Sequence, residues 1–67
     1  MITNEEKITI ANNRLEILNL DIDIIQKEID FYTQMNIEDK IAYALNKLEQ
    51  VPLKIQAIQQ ELNRLTA

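Results

Sequence analysis

The sequence predicts an all-α protein that folds as an antiparallel two-helix hairpin of the coiled-coil type. Three observations support this prediction. The composition favours helices, since the 67 residues include no glycine and one proline, and 46% of them are hydrophobic. Two runs of apolar residues alternate spacings of three and four, which is typical of helices that pack along each other. The phase of this pattern breaks near Asn36, and the break marks a turn.

Helix one is predicted over about residues 4–34. Thr3 and Glu6 form a capping box, in which the threonine hydroxyl and the glutamate carboxylate each bind a free backbone N–H group at the start of the helix. The apolar residues of this helix predict one continuous face that packs against another helix. This core stripe comprises Ile8, Ala11, Leu15, Leu18, Ile22, Ile25, Ile29 and Tyr32.

The turn is predicted over about residues 35–37, with Asn36 as its pivot. Asparagine tolerates the left-handed conformation better than most residues, and it is also a good N-cap for a following helix. The alternative is a single long helix in which the phase break is a stutter.

Helix two is predicted over about residues 37–66, and Pro52 lies inside it. Proline removes a backbone hydrogen bond and its ring presses on the Leu48 carbonyl, but the apolar pattern keeps its phase across this position. We therefore expect one helix with a kink. Its core stripe comprises Ile37, Ile41, Ala44, Leu48, Val51, Ile55, Ile58, Leu62 and Leu65.

The hairpin has a register in which every facing layer is apolar. It places Ile8 beside Leu65 at the open end and Tyr32 beside Ile41 near the turn. The same register brings together three pairs of opposite charge next to the core stripes, and such pairs help to fix register. The predicted pairs are Arg14 with Glu61, Asp21 with Lys54, and Glu28 with Lys47.

Helix one carries further apolar residues that helix two cannot cover. Four of them recur every seven residues, more than 100° around the helix from the core stripe. We call the whole set the outer patch; it comprises Ile10, Ile17, Leu20, Ile24, Phe31 and Met35. The simplest way to cover it is a homodimer, in which two antiparallel copies of helix one complete a four-helix bundle. The alternatives are a different protein partner and burial within one chain.

The sequence argues against catalysis and against a cofactor or metal. Histidine and cysteine are absent, and without glycine there is no phosphate-binding loop. Asp21 and Glu28 share one helix face while Asp23 and Asp30 lie on another, so these acidic residues predict a solvated surface instead of a metal site. Tyr43, outside the core stripe of helix two, could anchor an interface or be ordinary surface.

The charge pattern argues against nucleic acid and membrane partners. The formal net charge is −4 and the isoelectric point is about 4.6. Lys40, Lys47 and Lys54 repeat every seven residues, but no aromatic residues interleave with them for base stacking, and two of them have acidic partners in the hairpin register. The sequence lacks the basic start of a signal peptide and a long apolar run, so we expect a cytoplasmic protein.

The opening Thr3-Asn4-Glu5-Glu6-Lys7-Ile8, followed by Asn12-Asn13-Arg14-Leu15 in an isoleucine-rich helix, resembles small uncharacterised proteins encoded by tailed phages, including phages of marine cyanobacteria. The resemblance covers about the first fifteen residues. It implies a small phage-encoded accessory protein, either a virion or assembly component or a binder of a host protein, and it assigns no functional residues.

These features together predict a single domain, residues 1–67, that acts by protein–protein contact. The first hypothesis is a self-associating structural or assembly protein, and the resemblance implies that a phage encodes it. The second is a regulatory binder, either an inhibitor or an adaptor, that docks the outer patch on a host or partner protein. The third is a non-catalytic subunit of an enzyme complex.

Overall fold

The computed structural model describes all 67 residues as two helices joined by a short turn. Helix α1 spans Asn4–Gln34 and helix α2 spans Glu38–Thr66. The two helices pack side by side and run antiparallel, so that the molecule is a rod of 48 × 17 × 15 Å with no strands. The predicted all-α hairpin is confirmed, and the single long helix is wrong.

A complete capping box begins α1. The Thr3 hydroxyl accepts a hydrogen bond from the backbone N–H of Glu6 at 3.2 Å, and the Glu6 carboxylate accepts one from the backbone N–H of Thr3 at 3.5 Å. Both bonds satisfy N–H groups that have no partner within the helix. Glu5 and Glu6 also place negative charge at the positive end of the helix dipole.

Replacing Thr3 with alanine should lower the free energy of unfolding by about 1 kcal/mol, because one N–H group at the helix start loses its acceptor. In a domain of this size that loss corresponds to a fall in melting temperature of about 4–8 °C, measurable by circular dichroism. Thr9→Ala is the matched control. The Thr9 hydroxyl bonds the Glu5 carbonyl within the same helix and caps nothing, so this variant should melt close to the wild type. Equal losses in the two variants would contradict a capping role for Thr3.

The turn is built around Asn36, whose φ of 57° lies in the left-handed region. The backbone N–H of Ile37 donates to the Tyr32 carbonyl at 3.1 Å, and the N–H of Asn36 donates to the Thr33 carbonyl at 3.2 Å. These two bonds form a Schellman motif, which occupies carbonyl groups that the end of α1 would otherwise leave free. The predicted pivot is therefore present.

The predicted capping role of Asn36 at the start of α2 is wrong. Ile37 occupies the N-cap position, and its side chain makes no cap hydrogen bond. Asn36 is the left-handed residue that ends α1, and the N-cap of α2 is the next residue, Ile37. Asn36 therefore cannot also be the N-cap of α2. As a result α2 begins at Glu38, one residue later than expected, and Glu38 and Asp39 supply the negative charge of its first turn.

The core is a thin layer between the two helices. Only four residues are buried, namely Ala11, Ile25, Ala44 and Val51. Ala44 is completely inaccessible, so a longer side chain would not fit at this point without displacing its neighbours. Every half-buried residue belongs to one of the two predicted core stripes, with the exception of four charged residues that flank them: Asp21, Glu28, Lys47 and Glu61.

Helix α2 continues through Pro52 as one helix, with Val51 buried on its inner side and Leu53 exposed on its outer side. The proline ring is itself exposed. An exposed proline lets the helix bend away from solvent while the inner stripe keeps its contacts. The kink at Pro52 stays a prediction.

Candidate protein–protein interface

The outer patch of α1 lies in solvent along the whole length of the hairpin. The six side chains range from 40% exposed at Ile10 to 63% at Leu20. The four members that recur every seven residues form a straight row from Ile10 to Phe31, about 32 Å long at 1.5 Å per residue. Large apolar side chains exposed in a continuous row on a small protein are typical of a surface that binds another protein.

The remaining two residues of the outer patch stand apart from this row. Leu20 borders a shallow hollow with Glu16, Asn19 and Asp23 on the side of α1 that carries acidic residues. Met35 caps the end of α1 beside the turn. A partner that covers the row from Ile10 to Phe31 would therefore meet Leu20 at one edge of the contact and Met35 at one end.

A groove between the two helices adjoins the open-end half of the row. It consists of two adjoining hollows of about 320 and 390 Å³, which share Arg14, Ala57 and Ile58. Ile10 borders one hollow and Ile17 the other. We call this surface the Ala57 groove. Its remaining lining residues are Lys7, Ala11, Leu18, Lys54, Glu61 and Leu65.

Both hollows of the Ala57 groove border one short side chain, that of Ala57. Tyr43, Gln50, Ala57 and Arg64 recur every seven residues along α2 and so occupy equivalent positions on its surface. Alanine has the shortest side chain of these four residues. The sequence analysis missed this groove, although the single small residue in that heptad position was a signal that could have indicated it.

One of the three predicted charge pairs across the helices forms. Lys47 Nζ lies 3.4 Å from a Glu28 carboxylate oxygen, and both side chains are about one third exposed. Arg14 and Glu61 line the same hollow but are not paired, because Glu61 instead binds Arg64, one turn along its own helix. Residues three apart on a helix are neighbours on its surface, so this pair forms without a contact between the helices.

The third predicted pair, Asp21 with Lys54, is also not formed. Lys54 borders the Ala57 groove, and Asp21 is half-buried at the flank of the α1 core stripe. Both charges therefore stay available to solvent or to a partner.

The basic residues are concentrated on the groove side of the hairpin. Lys40 and Lys47 share the helix face of Lys54, and their ammonium groups lie 5.5 Å from the Tyr32 ring and 5.0 Å from the Tyr43 ring. The exception is Lys27, which pairs with Asp23 at 3.5 Å on the other side of α1. Six of the seven basic residues thus lie on the groove side, namely Lys7, Arg14, Lys40, Lys47, Lys54 and Arg64.

The structure contains no group of three carboxylate, histidine or cysteine side chains placed to hold a metal ion. Neither helix is both long enough and apolar enough to cross a membrane. Tyr43, Leu45 and Leu53 of α2 are also exposed, but they do not form a row with one another as the residues from Ile10 to Phe31 do.

In comparisons with known proteins, no family model, no curated protein and no solved structure matches the chain.

Proposed function

We propose that this chain is a non-enzymatic protein–protein interaction module that associates with itself through the outer patch. The observation that carries the proposal is the row from Ile10 to Phe31, four large apolar side chains that are 40–57% exposed on one helix face. A structural or assembly protein, including a phage-encoded accessory protein of the virion or the host cytoplasm, is the role that such a module fits best.

The thin core supports self-association. The accessible surface of the single chain is 5411 Å². A compact monomer of 7.9 kDa is expected to expose only about 4,400 Å². The excess of roughly 1,000 Å² is similar in size to the surface that specific protein–protein contacts remove from solvent. Association with a second copy would bring the exposed area per chain closer to that of a compact protein.

The proposed dimer places two copies of α1 side by side and antiparallel. Ile10 then faces Phe31 of the second copy, Ile17 faces Ile24, and Leu20 lies near the twofold axis. The same register brings Arg14 opposite Glu28 of the second copy, which adds a pair of opposite charges at each end of the contact. The two hairpins together would form a four-helix bundle.

The expected affinity is modest. Each residue of the outer patch has already lost about half of its accessible surface, so burying the rest contributes roughly 1 kcal/mol per side chain. Two copies of the outer patch give roughly 12 kcal/mol, which must offset an association cost of about 4–15 kcal/mol. We therefore expect a dimer that dissociates on dilution.

Sedimentation equilibrium over a range of protein concentrations tests self-association. We expect a mass of twice 7.9 kDa at high concentration and a shift toward 7.9 kDa on dilution. Circular dichroism at each concentration establishes whether the chain is folded. A folded monomer at the highest concentration would overturn self-association.

The second candidate function is a regulatory binder that docks on another protein. The observation that favours it is the concentration of basic residues on the groove side of a chain whose net charge is −4. An acidic partner would neutralise this positive charge.

A further inference from the structure

The open-end half of the hairpin combines an apolar groove with a basic rim. The floor of the Ala57 groove is formed by Ile58, Leu18 and the short side chain of Ala57. Its upper wall on α1 is formed by Ile10 and Ile17, which are 40% and 57% exposed. A ligand in the groove would therefore touch apolar side chains of both helices.

The rim of the groove carries three basic side chains that have no acidic partner in the structure. These are Lys7, Arg14 and Lys54. The acidic side chain at the groove, Glu61, is already paired with Arg64. The rim therefore has an excess of three positive charges, opposite in sign to the net charge of the chain.

The length of the groove suits a short helix. On α1 it extends from Lys7 to Leu18, about 17 Å at 1.5 Å per residue, which equals about three turns of a third helix laid along the hairpin. A helix with apolar residues every three or four positions would fill the groove, as in other complexes of an amphipathic helix with a groove. Carboxylates on either side of its apolar face would lie against the basic rim.

We propose that the Ala57 groove binds an acidic amphipathic helix of a partner protein, with the apolar face of that helix on Ala57, Ile17 and Ile58 and its carboxylates on Lys7, Arg14 and Lys54. This inference goes beyond self-association and does not depend on it, because the groove is formed within one chain. Ile10 and Ile17 border both surfaces, whereas Ile24 and Phe31 belong to the outer patch alone.

The test uses a fluorescein-labelled peptide of about 14 residues, about 21 Å long as a helix, with leucine on one face and glutamate on the other. Its fluorescence anisotropy is measured as the full chain is added. The control peptide carries lysine in place of glutamate. We expect the acidic peptide to bind more tightly than the basic peptide and to lose affinity as salt is added, because salt screens the exposed charges of the rim.

Two substitutions locate the binding site. Ala57→Gln places glutamine at an exposed position equivalent to that of Gln50, one heptad earlier, so the fold should tolerate it. The acidic peptide should lose at least tenfold in affinity, because the longer side chain would occupy the groove. Ala42→Gln is the matched control, an exposed alanine about 22 Å away along α2, and should bind the peptide as the wild type does. Arg14→Gln should weaken binding by up to about fivefold, the effect of one exposed ion pair.

Three results would overturn the proposal. The first is equal binding of the acidic and basic peptides. The second is unchanged affinity of Ala57→Gln for the acidic peptide. The third is that Ala57→Gln, without any peptide, sediments as a monomer where the wild type is a dimer. This result would mean that a second copy of the chain occupies the groove. A protein that stays monomeric yet binds the acidic peptide would support this inference while contradicting self-association, so the two proposals fail separately.

Discussion

Replacing Ile25 with alanine is expected to unfold most of the protein at room temperature. Ile25 is 7% exposed and lies at the centre of the core, in contact with Ala44 and Val51. Removing the outer carbons of a buried isoleucine costs about 2–5 kcal/mol, because the cavity left behind closes only in part. A single core in a chain of this length supplies no more than about 3–5 kcal/mol in total. The substitution therefore removes most of the stability that the hairpin has.

The measurement is urea unfolding followed by circular dichroism at 222 nm, the usual helix signal, at a dilution where the chain is monomeric. The matched control is Ile24→Ala, which makes the same change at the neighbouring residue. Ile24 is 53% exposed and points away from α2, so this variant should lose less than about 1 kcal/mol. If both substitutions lowered the free energy of unfolding equally, Ile25 would not face α2 while Ile24 faces solvent, and the packing of the hairpin would be contradicted.

Replacing Ile24 with aspartate is expected to abolish self-association. In the proposed dimer Ile24 faces Ile17 of the second copy, so the substitution places two carboxylates in an apolar contact without partners. Each such group costs several kcal/mol to remove from water, which is more than the modest net affinity expected of the dimer. The variant should sediment at 7.9 kDa at every concentration.

The matched control for charge is Gln56→Asp, an exposed position of α2 that has no charged residue three or four positions away. It should dimerise as the wild type does. Because the hairpin is marginal alone, Ile24→Asp is also expected to unfold at a lower temperature, since it loses the stabilisation that association provides. If Ile24→Asp remained dimeric, the outer patch would not be the dimer interface.

The two helices, the capping box of α1 and the turn could be predicted because local interactions determine them. The capping box needs only Thr3 and Glu6, three residues apart on the first turn. The turn needs only a residue that tolerates a positive φ, and Asn36 was the candidate in that segment. The core stripes follow from the alternation of three and four residues, which gives one apolar face per helix whatever the partner.

The charge pairs were harder to predict. A register specifies which residues face each other across the helices, but a charged side chain can also pair with a residue of its own helix. Glu61 had two candidate partners, Arg14 across the groove and Arg64 one turn along α2. The pair within one helix formed. Only Glu28 and Lys47, which lie one turn or less from the fully buried Ala44 in the hairpin register, made the predicted contact.

The sequence by itself determined that this chain is an α-helical hairpin and that helix α1 carries the outer patch in addition to its core stripe. The spacing of apolar residues and the capping motifs determine these features, because both depend on residues only a few positions apart. The tertiary structure decided what surrounds that face. It placed six basic residues on one side of the hairpin and opened the groove at Ala57. Both features depend on side chains of the two helices that lie far apart in the sequence and come together only when α2 packs on α1 with Ala44 and Val51 buried.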